Sequence, residues 1–246
     1  MILFRTNLDH EILKGIAKLP RIKNLIIIYQ QGDTLGEKGA ATLSTMKDLE
    51  TLCLLGFEIN PEMVEMISRI KSLKFLDMIG LPGTLKAESI SSLKNLTNLE
   101  SLSITCDNLD SGAVNDLADL KRLKTLNLCN CTISSFEIIE NLSRLENLTS
   151  LHLVRNKFLH FSKGNINKLK TLEELYMDEN DPRILNQFKG VKLKTLRLIR
   201  YPYVTSDFLQ KLNARNQIDR IELLEPMKIS SLLPLRAKEL IEDTGN

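Results

Sequence analysis

Nine times along the chain the pattern L-x-x-L-x-L recurs, with Ile or Met accepted for Leu, and its first rungs fall at Ile22, Leu49, Leu73, Leu99, Leu123, Leu148, Leu172, Leu193 and Ile218. The intervals between them are 27, 24, 26, 24, 25, 24, 21 and 25 residues. A fixed period of this size means stacked supersecondary units, none of which can bury its apolar face alone. A chain of 246 residues, long enough for two compact domains, is therefore predicted to form one elongated domain.

Within a copy the last two rungs, such as Leu126 and Leu128, lie two residues apart, so both point to one face of a short strand. Between strands the spacing turns helical. Asn60-Pro61-Glu62 opens a run with Val64, Ile67 and Ile70; Asn suits the cap and Pro the first helical position. Ser134 and Glu137 have capping-box spacing ahead of Ile138, Leu142 and Leu145, and Ser206 precedes Phe208, Leu209 and Leu212. The unit is thus strand, turn, helix. The short interval after Leu172 contains Asp181-Pro182, which predicts a turn or brief 3-10 segment in place of the outer helix.

These rungs, with Cys131 or Asn156 at the ninth position and Ile133 or Phe158 at the eleventh, resemble the leucine-rich repeat family over essentially the whole chain. The period is similar to that of its intracellular, cysteine-containing and ribonuclease-inhibitor-like subclasses. The resemblance implies an α/β fold, a right-handed horseshoe solenoid with a parallel concave sheet of about nine or ten strands and a mostly helical convex face. Its expected parts are a partial repeat and helix over 1–21, eight full repeats over 22–217, and a last strand and C-terminal cap over 218–246. The ninth position is irregular elsewhere, holding Gln30, Phe57, Leu81, Asp107, Tyr201 and Pro226, so those turns are expected to lack the bonds an Asn or Cys side chain makes to the main chain. One period upstream, the fourth and sixth positions fall on Met1 and Leu3. The chain is therefore expected to enter in mid-repeat, as a piece of a longer protein or with its first edge docked on a partner, and Asp9 is expected to cap the first helix.

Charge is nearly balanced, with 33 basic and 31 acidic residues, and no nucleic acid is expected as a partner. No apolar run approaches the roughly 18 residues of a membrane span, and Met1-Ile2-Leu3-Phe4 is cut off by Arg5 and Asp9, too soon for a secretory signal. Cysteines at 53, 106, 129 and 131, none near either end, favour a reducing compartment, so a cytoplasmic location is expected. Of the three histidines only His152 falls on a predicted strand, Cys129-x-Cys131 has no second cluster to complete a zinc site, and Gly32-x-x-x-Gly36 lacks the Lys-Ser/Thr of a phosphate loop. No catalytic residue, metal or cofactor is expected.

If positions four and six face the core, positions three, five and seven face the concave surface. Column five then runs Ile2, Ile26, Cys53, Asp77, Ser103, Asn127, His152, Tyr176, Arg197, Glu222. At its first end Phe4, Ile26, Ile28, Leu55, Phe75 and Ile79 form an apolar cluster. Either a partner covers it, or strand positions simply favour such residues and their neighbours shield them. Toward the other end His152, Arg155, Tyr176, Asp178, Arg197, Arg200 and Tyr201 lie on or beside consecutive strands. Tyr and Arg supply interface hot spots; a solvated face is the competing reading. The expected function is a non-enzymatic protein-protein interaction module. It would recognise a protein partner, or a companion domain of its own longer chain, through the concave face. The resemblance suggests the C-terminal sensor part of a multidomain protein, as in NLR-type immune receptors or ubiquitin-ligase adaptors. A free-standing bacterial effector that binds host proteins, or a GTPase-regulating accessory protein, is the alternative.

Overall fold

A computed structural model describes residues 1–4, 10–28, 35–81, 84–160, 166–178, 190–200 and 204–224. Asp9, Asp181-Pro182, Tyr201 and the expected C-terminal cap beyond Leu224 lie outside the described residues.

Ten strands form one parallel sheet: β1 (Ile2–Phe4), β2 (Asn24–Ile28), β3 (Thr51–Leu55), β4 (Phe75–Ile79), β5 (Ser101–Ile104), β6 (Thr125–Leu128), β8 (Ser150–Leu153), β10 (Glu174–Asp178), β11 (Lys192–Ile199) and β12 (Gln217–Leu224), hydrogen-bonded in that order. Register follows the repeat. The fourth-position rungs Leu25, Leu52, Leu76, Leu102, Leu126, Leu151, Leu175, Leu196 and Ile221 pair each with the next. Every fourth- and sixth-position rung from Leu25 to Leu198 is at most 1% exposed. At roughly 1.5–3 kcal/mol for each side chain taken out of water, this double row contributes a large part of the stability, together with first-position rungs such as Leu49, Leu73, Leu99 and Leu123 that are equally buried. In β12 the rung Leu223 is 56% exposed.

The outer layer changes along the chain. It begins with α1 (His10–Ala17), α2 (Gly36–Leu43), α3 (Pro61–Ile67), α4 (Ala87–Ile90) and α5 (Ser111–Leu117). Asn60 caps α3 as expected, its side chain accepting from Met63 N at 2.8 Å, and Asp110 caps α5 through Ala113 N at 2.8 Å. Beyond α5 the outer segments tighten to 3-10 helices at Phe136–Arg144 and Ile166–Lys168. Ser134, expected to cap a helix, instead lies in β7 (Thr132–Ser135), which pairs in parallel with β9 (Lys157–His160). Local capping spacing loses here to pairing between adjacent repeats, with Ile133 opposite Phe158 in a second, two-stranded sheet. An α-helix returns with α6 (Ser206–Arg215), capped by Thr205, one residue before the predicted Ser206.

Ninth-position side chains tie repeats together where the residue allows. Asn156 accepts from Cys131 N at 2.8 Å and donates to Leu128 O at 2.8 Å. Cys131 makes the weaker version one repeat earlier, accepting from Cys106 N at 3.3 Å with Ile104 O at 3.7 Å. Phe57 fills the same position with a buried ring, and its carbonyl approaches so closely that a Cβ on Gly80 would sit 2.5 Å from it.

Strand starts carry a second, electrostatic register. Their second positions read Lys23, Glu50, Lys74, Glu100, Lys124, Thr149, Glu173, Lys194, Asp219, alternating in sign up to Thr149. Glu50 lies 2.6 Å from Lys23 and 2.7 Å from Lys74, Lys124 lies 2.7 Å from Glu100, and Lys194 lies 2.8 Å from Glu173. Hydrogen bonds from Lys23 and then Lys74 hold the Glu50 carboxyl down at about 2.

Candidate functional site

Column five lies on the sheet as the repeat predicts: each member sits opposite the next, from Ile2 beside Ile26 to Arg197 beside Glu222. Its two ends are unlike. At the first end Ile26 and Cys53 are fully buried, with Ile2 and Ile28 packed against them. Leu55 is also buried, Ile28, Phe75 and Ile79 are half-buried, and the Phe4 side chain lies outside the description. Within this cluster Ile26 and Leu55 follow the shielding alternative, whereas Ile28, Phe75 and Ile79 keep part of their surface. Strands are only about 4.8 Å apart, and the short side chains of Cys53 and Asp77 are flanked on their own strands by Leu55, Phe75 and Ile79. Neighbours thus provide the shielding, and Ile26 offers no surface to a partner.

The next members form a buried polar row that sequence reasoning passed over. Cys53 Sγ donates to Asp77 Oδ2 at 3.1 Å, and Ser103 also hydrogen-bonds to the Asp77 carboxylate. Burial dominates and pushes the Asp77 carboxyl up to about 6. The consecutive short polar residues Cys53, Asp77 and Ser103 were the available signal, because only small side chains that bond one another tolerate such burial.

From Asn127 onward the column is partly open to solvent. The His152 and Tyr176 rings stack with centroids 3.7 Å apart at 17°, and the guanidinium of Arg197, on β11, lies 4.6 Å from the Tyr176 centroid. Ser150 Oγ is 3.2 Å from His152 Nε2. Arg197 Nε donates to Glu222 at 2.5 Å, while its Nη1 donates to the Tyr176 hydroxyl and reaches Glu174 at 3.4 Å. Burial first, and then the Glu174 charge, raise the Tyr176 phenol above its ordinary value. The parallel register explains the constellation, since it sets His152, Tyr176, Arg197 and Glu222 side by side on four consecutive strands.

Asp178, the last residue of β10, serves the neighbouring turn rather than the open surface. It is buried, and its Oδ2 accepts from Arg155 N at 2.5 Å. Arg155 is held at φ +58° at the eighth position, where Gly56, Asn130 and Arg200 are also left-handed. Left-handed backbone suits Gly and Asn, so the arginines need support of the kind Asp178 gives. Both Arg155 and Arg200 are exposed at the edge where strands end. Of the polar candidates, then, His152, Tyr176 and Arg197 come together, Arg155 and Arg200 flank them, Asp178 supports Arg155, and Tyr201 lies outside the described residues.

Reactive chemistry is sparse. All four thiols are buried, and desolvation pushes Cys106 up to about 12 and Cys129 up to about 11, far from a reactive thiolate. No group of three or more His, Cys, Asp or Glu is gathered for a metal among the described residues. No described helix is long and apolar enough to cross a membrane.

In-register parallel strands, two buried rungs on the strands from β2 to β11 and Asn or Cys staples between turns define a leucine-rich repeat solenoid, and the solved structure of TLR13 bears this fold out. The structure of TLR13 in complex with ssRNA13 aligns with a TM-score of 0.60 at 23% identity, over 88% of this chain and 35% of that one. Internalin C2 of Listeria monocytogenes aligns with a TM-score of 0.48 at 24% identity, over 69% of this chain and 66% of that one. The chain therefore spans about a third and about two thirds of the two proteins. No family model matches the sequence, and no curated protein matches it.

Proposed function

We propose that the chain is a non-enzymatic recognition module whose partner is a folded protein, seated on the polar end of the concave sheet over His152, Tyr176 and Arg197. That partner is a separate protein or a companion domain of a longer chain containing these residues. The observation that carries this reading is the stack itself. Two rings and a guanidinium are already locked against one another by Glu174 and Glu222, so little side-chain freedom remains to be lost on association. Tyr and Arg are also the residue types that concentrate binding energy. The apolar end has less to offer, with Ile26 and Leu55 already buried. Because TLR13 was solved with ssRNA13, a solenoid of this fold accommodates RNA, and balanced charge alone does not rule out nucleic acid.

Tagged chain carrying Tyr176→Ala and Arg197→Ala together should capture at least about tenfold less of its partner from native lysate than the parent, at hot-spot values for two central side chains. Its thermal melt should still show one folded transition. Undiminished capture would remove this surface as the binding site. Nuclease treatment should leave parental capture intact; its loss would make the ligand a nucleic acid and sink the protein reading.

A further inference from the structure

The near-neutral total charge conceals a division between the segments that lead into the strands and the rest of the chain. Consider the nine segments running from five residues before each first rung to one residue after it. They hold 18 of the 33 basic residues but only 7 of the 31 acidic ones, leaving 15 and 24 for the rest of the chain. In-register strands bring the described residues of these segments to the one edge where strands begin, a row roughly 40 Å long at 4.8 Å per strand. Every described Lys and Arg in them is exposed except Lys74, which is half-buried.

Local needs account for part of this. Lys47, Lys71 and Lys121 each donate to a carbonyl at the end of the preceding helix, as cations at helix C-termini do. That explains one cation in each of three segments, whereas the segments before Ile22, Leu73, Leu123 and Leu193 carry three each. Lys18, Arg21, Lys170 and Lys192 form no ion pair among the described residues. Where Thr149 interrupts the alternating ladder, an open groove of about 640 Å³ is lined by four lysines, Lys124, Lys170, Lys192 and Lys194, against three acids, Glu146, Glu173 and Asp219.

We propose that this basic edge is a docking surface for an anionic lipid bilayer. Thirteen of the 18 cations are Lys, flexible point charges without the bidentate fork that reads nucleic-acid phosphates. No aromatic side chain stands among its described residues to stack on bases. Leu19, 45% exposed in the same segment as Lys18 and Arg21, adds an apolar group at headgroup depth. Adjacent strands are spaced about 4.8 Å apart, inside a Debye length of about 8 Å, and each basic residue near an anionic surface contributes roughly fivefold in affinity.

The test is flotation of the whole chain with phosphatidylcholine vesicles, with and without phosphatidylserine. One variant carries Lys18→Glu, Lys170→Glu and Lys192→Glu. A second changes net charge equally away from this edge, with Lys38→Glu, Lys86→Glu and Lys157→Glu; all six residues are exposed. The parent should bind only the phosphatidylserine vesicles, the first variant should bind at least about tenfold more weakly, and the second should bind like the parent. Equal losses in both variants, equal binding to neutral vesicles, or retention of a single-stranded RNA in place of vesicles would each overturn the proposal. Melting curves matching the parent confirm that both variants are folded. The edge is separate from the His152–Tyr176–Arg197 surface, so either can fail alone.

Discussion

Replacing Asn156 by Ala removes the tie between two repeats without altering any apolar rung. Its side chain is buried, and its amide satisfies one donor and one acceptor of the preceding turn, Cys131 N and Leu128 O, each at 2.8 Å. Alanine reaches neither, and the site is closed to solvent. Leaving a buried main-chain group unsatisfied costs about 1–3 kcal/mol, so two such groups predict a loss of roughly 2–6 kcal/mol, a large share of a typical domain's stability. Asn147 is the matched control: it donates to Lys121 O at 2.9 Å, but it is exposed, so water replaces the lost bond. Asn147→Ala should cost no more than about 0.5 kcal/mol. Urea titrations followed by circular dichroism give both values. Should the two variants unfold at the same urea concentration, the argument that side-chain staples hold these turns is wrong.

Two further outcomes follow from burial. The Asp77 carboxyl rises from 3.8 to about 6 on folding, so the folded chain holds a proton that the unfolded chain releases between those values. Stability should therefore fall as pH rises from about 4 to about 6 and remain lower above, by roughly 2–3 kcal/mol. Asp77→Asn should flatten that slope in pH-dependent melts; an unchanged slope would assign the effect to other groups. Thiol titration with Ellman's reagent at mildly alkaline pH should find all four cysteines slow until denaturant is added. Rapid labelling of Cys106 or Cys129 in the folded protein would contradict their burial.

The sheet was legible because its signal is redundant. A rung error at Leu172 would have been exposed by Leu148 and Leu193, and two-residue spacing leaves no doubt about which side faces the core. The outer layer is less legible, since Ser134 and Glu137 satisfy a local capping rule that pairing with the Lys157–His160 strand overrides, and nothing within one repeat reports what the next will offer. Column order likewise placed His152, Tyr176 and Arg197 side by side, yet whether a concave residue is open depends on the size of its neighbours. Ile26 and Tyr176 occupy the same position in the repeat, and one is sealed while the other is partly exposed. Asp178 looked like a surface charge because its bond to Arg155 N spans 23 residues.

The alternation of Lys23, Glu50, Lys74, Glu100 and Lys124 gives the solenoid a parity. Each repeat meets opposite charge on its proper neighbours, like charge on the repeat one place further on, and opposite charge again beyond that. A chain that stacks with one repeat looped out sets Lys beside Lys or Glu beside Glu, whereas one that loses two in succession does not. Identical Leu rungs cannot distinguish the right neighbour from the next one along. The charges can, and in this half of the molecule repeats are therefore interchangeable in pairs but not singly.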